Sequence, residues 1–97
     1  MRIRILAPAR RDLFDAAQFY EGQLPGLGSR FQEEVEAALG RICEFPLAWQ
    51  RLSPRTRRCL LNGFPYSVIY QHRVDEVIVV AVGHQHRALD FWKSRLR

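Results

Sequence analysis

Lysine is nearly missing from this sequence. Lys93 is the only one, and the other fourteen of the fifteen basic residues are arginine. A guanidinium is planar and forked, so this usage favours bidentate contact with carboxylate or phosphate over diffuse point charge. Cysteine is scarce as well. Cys43 and Cys59 are the only two, which suits a reduced compartment better than a disulfide scaffold, and we read both as small core residues. No apolar run approaches the roughly 20 residues that a membrane span needs. Met1 to Leu6 offers no long apolar stretch and no signal-peptide cleavage site, so the expectation is a cytoplasmic protein with no membrane partner. A phosphate-cradling glycine loop is also missing: Gly26-Leu27-Gly28 lacks the third glycine and a preceding strand, and reads as a turn. No serine sits in a nucleophile-elbow context. There is no internal repeat, linker or low-complexity segment.

What is present suffices for one domain over residues 1–97. A chain of 97 residues buries about two-thirds of its unfolded surface, enough for a core without staples. Apolar content of 47% excludes a disordered tail. The net charge of +5 points to an anionic partner. It is unevenly spread. Residues 1–50 hold six Arg against seven acids, and residues 51–97 hold eight Arg and one Lys against three acids.

Arg2 to Leu6 alternates polar and apolar, so a half-buried strand is expected. Pro8 suits a first helical turn. From Ala9 to about Gln23, Leu13, Ala16, Ala17, Tyr20 and Leu24 recur at helical spacing, with Arg11 and Asp15 one turn apart and able to pair. Pro25 to Gly28 is a breaker cluster. Ser29 with Gln32 reads as a capping box opening a second helix to about Phe45, its stripe being Phe31, Val35, Ala38, Leu39 and Ile42. Glu33, Glu34 and Glu36 are then expected near its positive end, and Pro46 ends it. Residues 46–55 look irregular. Thr56–Asn62, Tyr66–Gln71 and Val77–Val82 read as strands, joined through Asn62-Gly63, a positive-φ turn signal, and through a glycine-free stretch from His72 to Glu76, where a longer type I loop is expected. Val77 to Val82 is apolar on both faces, as a central strand should be. Residues 88–97 are expected to form one short helix. Connections this short make the last three strands an antiparallel meander. The fold class is therefore α+β: an N-terminal strand, an antiparallel helical hairpin, a three-stranded meander and a C-terminal helix, in two layers.

Taken together, these residues resemble the RelE/ParE superfamily, the toxin half of bacterial type II toxin–antitoxin pairs. The resemblance rests on Pro8-Ala9-Arg10-Arg11-Asp12-Leu13, Phe31 and Pro46. It continues through Arg58, Gly63-Phe64-Pro65-Tyr66, Ile69-Tyr70, Val82-Gly83-His84 and Arg87, and closes on Trp92 and Arg95. It covers nearly the whole chain, through order and spacing more than through any single element. The turn and the ending look closest to the ParE branch. Ala7 departs from the Ser or Thr that often caps the first helix in such proteins, which implies some loss of helix stability. The resemblance implies a toxin neutralised by a cognate antitoxin. A ParE-like member would act on DNA gyrase. A RelE-like one would cut mRNA in the ribosome with basic and acid/base residues.

RNA cleavage through the 2′-hydroxyl needs a base, an acid and cations on the phosphate. His72, His84 and His86 could supply proton transfer. If the chain is an RNase, the set to consider is Arg58, Arg73, His84, His86 and Arg87. The other reading is that His84 and His86 cap the sheet and hold the C-terminal segment, and we favour it. A lysine-rich site resembling that of RelE is absent. His84 and His86 would share a strand face, but Asp90 is the only carboxylate nearby, so neither a metal nor any other cofactor is expected. Arg51, Arg55, Arg57 and Arg58 form a local basic cluster. With Arg87, Trp92 and Arg95, these are the residues expected to meet the target or the antitoxin.

Overall fold

The computed structural model describes residues 1–87 and 90–96. Strand β1 (Arg2–Ile5) leads into helices α1 (Ala7–Gln23) and α2 (Leu27–Glu44), and four strands follow: β2 (Gln50–Ser53), β3 (Thr56–Leu60), β4 (Tyr66–Arg73) and β5 (Glu76–His84). They make one five-stranded sheet in the order β1-β5-β4-β3-β2. The meander is antiparallel as expected, and it has one strand more, because β2 forms within the stretch that looked irregular. Strand β1 pairs in parallel with β5, from Arg2 opposite Glu76 to Ile5 opposite Val79. Of the helix expected over residues 88–97, the described part holds one 3-10 turn, Lys93–Leu96; residues 88, 89 and 97 lie outside the described residues. No described helix is long and apolar enough to cross a membrane.

The helical hairpin starts differently from its sequence signals. Leu6, not Ala7, flanks α1, and no side chain caps it. Helix α2 begins at Leu27, so Ser29 is already inside it, and the expected capping box does not form. Glu33, Glu34 and Glu36 consequently fall beyond its first turn. The cap comes from the preceding helix. Both carboxylate oxygens of Glu21 accept the Gly26 N–H, at 3.1 and 3.0 Å, and one of them accepts the Gly28 N–H at 3.0 Å. A carboxylate at a helix N-terminus satisfies orphan donors and meets the positive end of the dipole. Gly26 has φ of 92°, a left-handed conformation that side chains resist. A Cβ on Gly28 would lie 2.6 Å from the Ala17 carbonyl oxygen, so this glycine lets the helices close.

The hairpins also differ from expectation. Arg73 pairs with Glu76, which leaves a two-residue turn, Val74-Asp75, where a longer loop was expected. Among the described residues no non-glycine residue takes positive φ, and the Asp75 carbonyl is used by the Arg2 N–H at 3.1 Å. At the other hairpin only Gly63 takes positive φ, at 78°. The loop there is closed by Leu61 N–H donating to the Tyr66 carbonyl at 2.9 Å.

Helices cover one face of the sheet. Phe31, Val35, Ala38 and Ile42 from α2 and Ala9, Ala16 and Ala17 from α1 pack on Cys59, Val68, Tyr70, Val77, Val79 and Val82. Leu24, expected on the α1 stripe, is exposed at its end. A bulge in β5 skips Val80, since Ile69 faces Ala81 and Tyr70 faces Val79. Val80 and Ala81 then both join Ile69 and Trp92 in a second cluster, with Trp92 only 2% exposed. The sheet is thus covered on its second face by the C-terminal segment. The fully buried Tyr70 reaches through the first core and donates its hydroxyl to the Pro46 carbonyl at 2.5 Å, tethering the connection between α2 and β2.

Two outcomes test this account. Glu21→Ala should lower stability by about 1 kcal/mol in urea denaturation, while Ser29→Ala stays within ~0.5 kcal/mol; the reverse order would restore the capping box. Burial pushes the Tyr70 hydroxyl from 10.0 up to about 12. The fold therefore favours the neutral phenol. Its contribution is intact below pH 10 and is lost as pH rises from 10 towards 12. Urea midpoints should fall across that window, and less steeply in Tyr70→Phe.

Candidate functional site

Strand alternation decides where each arginine goes. Arg57 sits opposite Tyr70, whose side chain is in the helix-side core, and donates to the Trp49 carbonyl at 2.8 Å. Arg58 sits opposite Ile69 of the second cluster and donates through Nε to Gln50 Oε1 at 2.7 Å. Arg51 and Arg55, on β2 and the turn after it, are exposed. The local cluster of four is therefore split between the two faces and the edge of the sheet.

The histidines divide too. His72 and Arg73 line a cleft with Arg55 at the β4–β5 turn. His84 is at the opposite end of the same ladder, paired with Tyr66. The eight residues from Tyr66 to Arg73 span about 23 Å of strand. Of the five residues considered for RNA cleavage, Arg58, His84 and Arg87 line one narrow crevice. His86 is beside His84, with ring centroids 5.2 Å apart, and Arg73 is remote. The His84 Nδ1 accepts the His86 backbone N–H at 3.1 Å, so one ring nitrogen is committed to holding the loop. Arg87 lies over the Phe91 ring, 3.8 Å from its centroid.

A second cleft, of about 310 Å³, opens between α1 and the ends of β4 and β5. Asp12, Asp15, Phe19, Tyr66, His84 and Arg87 line it. It carries proton-transfer groups, but its best-placed carboxylate is occupied. Arg95 grips Asp12 in a two-pronged ion pair, NH1 to Oδ2 at 2.6 Å and NH2 to Oδ1 at 3.1 Å. Asp12 also accepts the Val82 backbone N–H at 3.0 Å, and Arg95 donates to the Val80 carbonyl at 3.2 Å. The two side chains are only 11% and 17% exposed. Burial raises the Tyr66 hydroxyl above its usual range, which weakens it as a proton donor. Among the described residues, no three His, Cys, Asp or Glu side chains gather to hold a metal ion.

The structure thus gives Trp92 to the second core and Arg95 to Asp12, and leaves Arg51, Arg55 and Arg87 exposed. The Asp12–Arg95 pair was not visible in sequence. Its partners are 83 positions apart, and no local spacing announces such a contact. Arg41, unremarked on α2, reaches the Leu60 carbonyl at 3.1 Å and lines a notch with Arg58.

The family model for the ParE toxin of type II toxin–antitoxin system, parDE, matches residues 3–89. A chain from the chromosomal ParDE TA system of P. aeruginosa has a similar fold, with a TM-score of 0.63 over 87% of this chain and 95% of that one, at 13% identity. At that identity the likeness is one of fold. No curated protein matches the chain.

Removing one member of a buried ion pair strands the other. Arg95→Ala should therefore lose roughly 3 kcal/mol in chemical denaturation. Lys93→Ala, on an exposed residue two positions away, should stay within ~0.5 kcal/mol. Equal effects would deny the clasp its role.

Proposed function

The chain belongs to the ParE toxin family of type II toxin–antitoxin systems, and from that membership we propose that it inhibits DNA gyrase and is neutralised by a cognate antitoxin. The family match over residues 3–89 carries the reading. Arg58, His84 and Arg87 share one crevice, but the commitments of the other chemistry-bearing residues support the reading. An endoribonuclease needs its base, acid and phosphate clamps within hydrogen-bond reach of one nucleotide. Arg73 is a strand length away from His84, Asp12 is held by Arg95, and His84 spends a ring nitrogen on its own loop. What remains exposed is positive charge at Arg51, Arg55 and Arg87. That arrangement fits a protein that binds rather than cuts, held against an acidic target or the nucleic acid the target holds. The antitoxin is the second partner, and gyrase as target makes the site of action cytoplasmic. No cofactor enters this reading.

Purified toxin should inhibit negative supercoiling by gyrase and trap cleaved DNA, and the combined Arg51→Gln, Arg55→Gln, Arg87→Gln variant should need at least tenfold more protein. Normal supercoiling at excess wild-type toxin, with mRNA cut codon by codon in arrested cells, would replace this reading with the ribosome-dependent endoribonuclease.

A further inference from the structure

Strand β3 runs on past the start of its edge neighbour. Pairing between β2 and β3 begins at Gln50 opposite Arg58, so Cys59 and Leu60 have no strand beside them on that side. The gap is a notch of about 400 Å³. Arg41 from α2 forms one side, Arg58 and Leu60 the floor, and Trp49, Gln50 and Asn62 the remainder. No acidic residue lines it. Among the described residues, no carboxylate lies within 4.0 Å of either guanidinium. Both forks are nevertheless fixed. Arg41 is held by the Leu60 carbonyl at 3.1 Å, and Arg58 by Gln50 at 2.7 Å. Each bond uses one nitrogen and leaves other donors of the fork for a ligand.

The rim is apolar. Leu60 is 52% exposed, and on the connection that brings Trp49 into the wall, Phe45 and Leu47 are 57% and 66% exposed. Two immobilised, uncompensated guanidinium ions ringed by aliphatic and aromatic surface suit an anion carried by something that is itself partly apolar. A nucleic-acid backbone offers phosphates but brings no aliphatic groups for Leu47 and Leu60. A polypeptide with Glu or Asp beside Leu, Ile or Val brings both. We infer that this notch receives a carboxylate side chain of the antitoxin, flanked by aliphatic residues that cover Leu60 and Leu47. The inference rests on the reading of the chain as a neutralised toxin. It assigns Arg41 and Arg58 as the charge-reading pair.

Trp49 provides the readout, because its indole N–H is buried and has no acceptor. The chain has only two tryptophans, so Trp92, in the other core, serves as an internal control. In ¹⁵N spectra of the full chain, a blocked hexapeptide alternating Leu and Glu should shift the Trp49 indole resonance saturably and leave that of Trp92 in place. The same peptide with Gln for Glu should shift it at least fivefold more weakly. Arg41→Gln and Arg58→Gln should each weaken the acidic peptide by a similar factor, with an unmoved Trp92 resonance reporting an intact fold. Three outcomes would overturn the proposal: no shift, an equal response to the Gln peptide, or tighter binding of a single-stranded hexathymidylate. The wild-type peptide pair decides the matter even if a variant fails to fold. Gyrase inhibition by the free toxin is read separately, so a toxin that inhibits gyrase and ignores the peptides loses the notch and keeps its proposed function.

Discussion

Strand β5 has no polar face, and the rest of the molecule is arranged to keep it out of water. Val77, Val79 and Val82 pack under the helices, while Val80 and Ala81 pack on the other side. A strand of this kind needs neighbours on both edges and cover on both faces. β1 and β4 take the edges. The helical hairpin takes one face, and Phe91 and Trp92 take the other. Asp12 stands where these parts meet. It is on α1, it accepts a backbone N–H of β5, and it holds Arg95 from the segment that covers the far face. One carboxylate thus joins the two layers of cover to the strand between them. Gly83 contributes to the same closure, since a Cβ there would meet the Phe91 ring at 2.6 Å.

The parts that sequence made legible are those written in local periodicity. Phe31, Val35, Ala38 and Ile42 are buried as their spacing requires, and the apolar run of β5 is central. Pro46 follows the end of α2 as a helix breaker should. The misreadings share a cause, which is tertiary contact overriding a local signal. Ser29 looked like a cap, but Glu21 from the neighbouring helix caps α2 one turn-start earlier. Strand β2 has little β-propensity in Gln50-Arg51-Leu52-Ser53, and it forms because β3 offers an edge to pair with. Val74-Asp75 turns tightly without glycine, with its carbonyl used by the N-terminal strand.

The charge of the second half was legible in composition and not in placement. An arginine excess in residues 51–97 was plain. Which arginines stay free could not be read, because that depends on whether a distant acid finds them. Arg95 has such an acid and becomes structural. Arg58 has none among the described residues and keeps an open fork, although Gln50 orients it. The same question separates His84 from a proton-transfer role: its ring is stacked edge-on with Tyr66 and bonded to its own loop. Binding tolerates such dispersal of charge, whereas acid/base chemistry at one phosphate does not.

The span between Asp12 and Arg95 also sets a schedule. Synthesis proceeds at ~5–20 residues per second, so the 83 positions between the partners correspond to roughly 4–17 s. During that interval α1 exists with an unmatched carboxylate, and β1 waits for β5, its parallel neighbour. Neither sheet edge nor clasp can be completed until the late part of the chain emerges. The two contacts that tie the start of the chain to its end, β1 with β5 and Asp12 with Arg95, are therefore the last to form as the chain is made.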